Sequence, residues 1–396
     1  MANWARLQEQ LTGLPVVKRS RNSIHFDKGN GEIVANFSGA PCHYEENGEW
    51  KPIDTKLLLL PDGFYGSPHS DVKIHKDGRV KAGGYQQKSA LVDAKEGVVD
   101  GDKIVREFKF GTQYLYMKED GFRQETVITR PPTTAEAKYL IASESGELPS
   151  KYKRSDITAV DADGAVHEFV NLGQFKKWLD AAAYPVTIDP DFSTIPSIDY
   201  CILGNGSDYT SARNTAAGLN WTGYNTTGRA ATFNTTRSYL KFDTSSIDDE
   251  VTISQVNLKL TNQTSYGSQS DNICIAKYNW SSVDPITNSN KETPYDGILL
   301  ADLDDGIFHS NNMSANTQYT SENLSTTWIN KTGYTYYGLI SSNDYNNVPV
   351  TDNGHSNLYR YNHATESYRP VLTVTYTTGS TGVPKHFLHY ARLRSN

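Results

Sequence analysis

The sequence predicts an all-β protein: an N-terminal β-rich domain followed by a jelly-roll-like β-sandwich, with few short helices. Three observations carry that expectation. In the first half, Asn47-Gly48, Asp62-Gly63, Asp77-Gly78, Asp120-Gly121 and Asp163-Gly164 punctuate short apolar or aromatic runs, a strong local signal for tight hairpins. In the second half, Val256, Leu258 and Leu260 alternate with Asn257 and Lys259, and Leu372, Val374 and Tyr376 alternate with Thr373 and Thr375. Period two is the pattern of half-buried strands. The third observation is a change of composition near residue 191: residues 1–191 hold 6 Asn, 9 Thr and 25 Lys plus Arg, and residues 192–396 hold 23, 28 and 13. A surface low in charge and rich in hydroxyls and amides suits β-structure with long polar loops.

At 396 residues the chain is long enough for two or three domains. The expected divisions are an N-terminal arm at 1–22, a β-rich platform at 23–191, a jelly roll at 192–378, and a linker with a basic tail at 379–396. The hinge reads as Asp189-Pro190-Asp191, running on to Ile195-Pro196. Trp4, Leu7, Leu11 and Leu14 stand three or four apart before Pro15, as in a short amphipathic helix. Leu172, Phe175, Leu179 and Ala182 repeat the pattern behind a candidate Asn171 cap, and Tyr184-Pro185 ends it. The tail adds Phe387, Leu388 and Tyr390 among basic residues. Both ends are expected to act as assembly arms, with Trp4, Leu7, Leu11, Phe387, Leu388 and Tyr390 burying apolar surface on partners. Folding back onto the chain's own domains is the competing expectation.

A balance of 38 basic to 45 acidic residues, with no long basic run, excludes nucleic acid as the main partner. No apolar run is long enough to span a bilayer, and the start lacks a charged leader with an apolar stretch, so standard export is not expected. Cys42, Cys201 and Cys274 are far apart with no CxxC spacing, which favours isolated thiols over disulfides or zinc. HExxH and G-x-S-x-G are absent, and Gly204-Asn205-Gly206 reads as a hairpin turn. Asp302, Asp304 and Asp305 before Gly306 form the densest acidic cluster of the second half. They read first as a solvated turn and second as a calcium loop, so structural calcium is the one cofactor left open. No catalytic residue is expected. The aromatics are more informative: 17 of the 25 Tyr lie in the second half. Tyr209, Trp221, Tyr224 and Tyr345, among loop-like Asn, Ser and Thr, are the candidate ligand-binding residues, because aromatic faces stack on sugar rings while amides meet hydroxyls. For each of them, packing is an equally good reading.

Residues Arg237-Ser-Tyr-Leu-Lys-Phe-Asp-Thr-Ser-Ser-Ile247 and Val251-Thr-Ile-Ser-Gln-Val-Asn-Leu-Lys-Leu260 resemble the centre of the DNRLRE domain. Glu366-Ser-Tyr-Arg-Pro-Val-Leu-Thr-Val-Thr-Tyr376 is similar to its closing strand, and Asp199 matches the Asp of its opening strand. The first half resembles the β-rich region that often precedes this module, through His43-Tyr44 to Asp54 and Trp178-Leu179 to Pro190. The resemblance implies a sandwich related to carbohydrate-binding modules, on a β-rich platform displayed at a cell or virion surface, and it does not imply catalysis. The expectation that follows is a structural protein of a bacteriophage virion, a tail, fibre or capsid-surface component facing outward. Its expected partners are other virion proteins, a host-surface glycan and further copies of itself as a homo-oligomer. The alternatives are a carbohydrate-binding cell-surface protein of a bacterium and, third, a polysaccharide lyase or hydrolase.

Overall fold

In a computed structural model the described residues are 4–67, 70–119, 121–149, 153–154, 157–163, 166–189, 191–193, 199–219, 228–229, 233–266, 272–309, 313–349, 355–360 and 366–378. The fold is mostly antiparallel β with short helices, as the turn and period-two patterns predict. It contains two packed pairs of sheets.

The platform pairs a six-stranded sheet with a nine-stranded one. Asn47-Gly48 joins strands His43–Glu46 and Glu49–Pro52, with both turn residues at positive φ, as a tight two-residue hairpin requires. Asp77-Gly78 closes the four-residue connection from Val72–Ile74 to Arg79–Ala82, with Gly78 at positive φ. Alternate side chains of these strands, Val72, Ile74, Val80 and Ala82, meet Ile104, Leu115, Met117 and Phe122 of the larger sheet in one core. Further along the same face of the larger sheet, helix Leu172–Ala181 packs its Phe175 and Leu179 on Ile128, Val186 and Ile188. Asn171 caps that helix by accepting from the Gln174 amide, as its position predicts.

The second pair of sheets is the sandwich, and it recruits the beginning of the chain. Strand Val371–Thr377 lies between strand Thr252–Tyr266 and strand Glu32–Ser38, which is followed outward by Ser23–Gly29 and Val16–Arg19. The structure therefore places residues 16–38 in the sandwich, whereas the sequence divided them between arm and platform. The physical reason is an edge: without Glu32–Ser38, strand Val371–Thr377 would present unpaired backbone and leave Leu372, Val374 and Tyr376 half covered. Ile33, Ala35 and Phe37 supply the missing inner face against Leu240, Phe242, Tyr337 and Leu339 of the facing sheet.

The N-terminal helix Trp4–Thr12 covers the outside of this composite sheet. Trp4 is 1% exposed, packed with Ile24, Phe26 and Val371, so it is corrected from a partner-docking residue to a core residue. Leu7 is half-buried, Leu11 remains 67% exposed, and Phe387, Leu388 and Tyr390 lie outside the described residues. Platform and sandwich also meet through a buried ion pair, Arg369 with Glu119, at 3.2 Å.

Candidate functional site

Two of the predicted ligand-binding residues come together, but facing inward. Tyr209 is 5% exposed at the start of helix Tyr209–Asn214, and its hydroxyl donates to the Asn343 carbonyl. Tyr345 is half-buried in helix Ser342–Tyr345 and donates to the Ala301 carbonyl. Both helices sit over a buried charge: Arg237 grips Asp344 through Nε (2.7 Å) and Nη2 (3.0 Å), and the guanidinium stacks 3.8 Å from the Tyr295 ring centroid. Tyr209 and Tyr345 are thus corrected to packing residues. Their polar neighbours read as loop because Asp208 and Ser341 serve as helix caps. Trp221 and Tyr224 lie outside the described residues.

The acidic cluster resolves in the same way. Both Asp304 carboxylate oxygens accept from the Ser325 amide, at 2.9 and 3.0 Å, and Asp304 is buried while Asp302 is exposed. Among the described residues no three acidic, His or Cys side chains are gathered as a metal site.

Partly exposed aromatics occur instead on the outer face of the composite sheet. Lys259 and Thr261 alternate with the core residues Leu258 and Leu260, which turns them outward; they pair with Thr320 and Gln318 of the edge strand Thr317–Thr320. Tyr359 follows Leu358 of the core, and its amide donates to the Thr261 carbonyl. Its ring stacks on that of Tyr368 with centroids 4.9 Å apart and planes 11° from parallel. The Tyr359 hydroxyl donates to the Asn316 side chain at 2.7 Å, and the Gln318 amide donates to the Ser367 carbonyl at 3.2 Å. Lys259, half-buried, makes no ion pair among the described residues, and burial pulls its pKa below the ordinary lysine value. Thr261 is fully buried beneath them, and the remaining groups make a shallow surface with aromatic faces, amides, the Thr320 hydroxyl and one cation. That is chemistry for stacking and hydrogen bonding to a neutral or weakly anionic polyhydroxyl ligand. The sequence carried little signal for it. Tyr359 and Tyr368 stand nine apart on different elements, and only the pairing of strand His355–Leu358 with Thr252–Tyr266 aligns them.

The buried nucleophile candidates do not form a reactive site. Cys42 is buried and 3.2 Å from His43 Nδ1, but burial pushes the thiol pKa up and that of the imidazole down to about 4, which disfavours a thiolate-imidazolium pair. His25 is enclosed by Ser23, Ser246 and the Tyr376 hydroxyl.

No helix among the described residues is long and apolar enough to cross a membrane. No family model matches the sequence, and no curated protein matches it. Among solved structures, one similarity is to a GH31 alpha-xylosidase from Xanthomonas citri, at 8% identity and a TM-score of 0.16, covering 92% of this chain and 38% of that one. At that score the similarity bears on neither fold nor activity.

Proposed function

We propose that the chain is a non-enzymatic structural protein of a bacteriophage virion surface, a tail, fibre or capsid-surface component, whose sandwich is a DNRLRE-like module that binds a host glycan. The observation that carries the recognition part is the Tyr359–Tyr368 stack beside Asn316 and Gln318 on the outer sheet face. The non-enzymatic part is supported by how the buried carboxylates are held. Asp199, Asp344 and Glu119 are each engaged by an arginine, which commits these carboxylates to structural pairs. Display is supported by the integration of the N-terminal strands, which binds module and platform into one unit.

Affinity per module is expected to be weak, roughly millimolar to micromolar, and useful through many copies on one particle. The test is binding of the full chain, clustered on beads, to a glycan array and to host cells. Tyr359→Ala and Tyr368→Ala should each lower binding about tenfold, and Tyr139→Ala, on an exposed platform tyrosine, should not. Depolymerisation of any glycan would overturn the non-enzymatic reading, and equal binding by all variants would move the site elsewhere. Antibody labelling of intact particles tests the virion assignment independently.

A further inference from the structure

The segment that covers the outside of the second sheet of the sandwich, around residues 277–301, contributes Trp280, Ile286, Tyr295 and Ile298 to a core with Tyr200, Tyr239 and Ile340 of that sheet. None of the buried Cys42, Cys201 and Cys274 forms a disulfide that would hold it. It does place a carboxyl group against a lysine. Asp284 lies just after the 3-10 turn Ser281–Val283, and its Oδ2 contacts Nζ of Lys241 from the central strand Phe233–Asp243. We propose that Lys241 and Asp284 condense to an intramolecular amide cross-link that fastens this covering segment to the sheet. The proposal is independent of what the sandwich binds.

Four features set this contact apart. First, the side chains are 5% and 14% exposed, whereas the other lysine–carboxylate pairs of the described residues each leave at least one partner well exposed. Second, the surroundings are aromatic. Nζ lies 5.7 Å from the Trp280 ring centroid and 5.2 Å from that of Tyr334, and Trp280 is fully buried. Third, Asp284 Oδ1 is buried without a hydrogen-bond partner, an expensive state for a carboxylate. Condensation removes both charges and one of the two oxygens. Fourth, Tyr336, directly opposite Lys241 in register, places its hydroxyl 3.4 Å from Asp284 Oδ2, where it can relay a proton. The neighbouring buried pairs, Arg237 with Asp344 and Arg360 with Asp199, cannot follow this course, because a guanidinium remains protonated and is not a nucleophile.

The step balances without any co-reactant. The lysine ammonium gives one proton to the carboxylate it contacts, leaving an amine and a carboxylic acid side by side. The Nζ lone pair attacks Cγ, the bond from Cγ to the hydroxyl oxygen breaks, and that oxygen leaves as water with the second Nζ proton, passed through the Tyr336 phenol. The product is one Nζ–Cγ amide and one water. Holding amine and acid in contact supplies an effective concentration of about 10⁵ M or more, which is what an unactivated carboxyl requires.

The test is the intact mass of the purified full chain, unfolded for measurement after prolonged incubation in the folded state. The expected mass is one water below that of the sequence, and Lys241→Arg and Asp284→Ala chains should each show their full sequence masses. Trypsin should fail to cut after Lys241 and should release a branched peptide joining residues 238–259 to 278–291. Finding the full sequence mass in the folded wild-type chain, or a lost water located in any other peptide, would overturn the proposal and leave an ordinary buried ion pair.

Discussion

The platform and the sandwich meet the same requirement, satisfying polar groups buried against their sheets, with different chemistry. In the platform, Arg106 donates to Gln113, Gln113 to Ser89, Ser89 and Gln87 to Gln124, and Gln124 to Thr126, a chain of amides and hydroxyls around one cation. Arg106 has no carboxylate in contact among the described residues, and burial lowers its pKa. The sandwich uses paired charges, Arg237 with Asp344 and Arg360 with Asp199. A neutral network degrades one hydrogen bond at a time, whereas a charge pair that loses a partner leaves an ion stranded. The two regions should therefore respond differently to truncation, substitution and acid.

The largest effect is expected from separating what the composite sheet joins. A fragment spanning residues 199–378 lacks strand Glu32–Ser38 and the helix above it, so it should fail to fold cooperatively. Adding residues 4–38 through a flexible linker should restore a sharp thermal transition. A soluble 199–378 fragment that unfolds cooperatively would break the comparison, because the sandwich would then be as self-contained as the platform.

Substitution sharpens it further. Arg237→Ala should lower stability by about 3 kcal/mol, because Asp344 stays buried, loses its two-point partner and keeps only the longer contact to Arg213 Nε at 3.4 Å. Arg106→Met should cost about 1–3 kcal/mol, because it leaves only the Gln113 oxygen unpaired and removes a buried charge. Urea unfolding of the two variants measures both. Equal losses would mean that the platform cation has a partner of comparable strength.

Acid should act on the sandwich through His25. Burial, with Lys18 and His43 adding to it, pulls its pKa from 6.5 down to about 3, so the folded chain holds a neutral imidazole. Below pH 6.5 the unfolded chain takes up a proton that the folded chain refuses, so this contribution is complete above pH 6.5 and is lost as pH falls towards 3. The slope approaches about 1.4 kcal/mol per pH unit. His25→Gln should flatten the dependence of stability on pH between 6.5 and 4, and an unchanged profile would exclude His25 as its source.

The contrast between the regions also explains what the sequence made legible. Val256, Leu258, Leu372 and Val374 announced their strands by alternation, and they pair in register, Val256 with Val374 and Leu258 with Leu372. Helix Leu172–Ala181 followed from its apolar spacing and its Asn171 cap, ending shortly before the Tyr184-Pro185 stop. The pairing of Asn36 with Thr373 was invisible, because a contact between chain ends leaves no local periodicity. The composition break near residue 191 marks a change of surface, and surfaces do not reveal which strand completes a sheet. Exposure of aromatics was equally hidden: Tyr209 and Tyr359 both sit among polar residues, and only tertiary packing separates the buried one from the half-exposed one.

The smallest expected effect concerns Lys259, which, like Arg106, is a cation without an acidic partner among the described residues. Lys259 lies on the outer face of the composite sheet, is only half-buried, and has its pKa lowered by burial alone. A lysine in that position holds its ammonium near water by extending its apolar stem along the sheet, so the penalty for its charge is partial. Lys259→Met retains the stem and removes the charge. It should raise stability slightly, by less than about 1 kcal/mol, and calorimetry should show the gain shrinking as pH rises and the wild-type lysine loses its proton. If the outer face takes a weakly anionic glycan, the same variant should bind it less well while leaving binding of a neutral glycan unchanged. A loss of stability in Lys259→Met would instead mean that the ammonium makes a favourable contact in solution, and Lys259 would then belong with the paired charges of the sandwich rather than with Arg106.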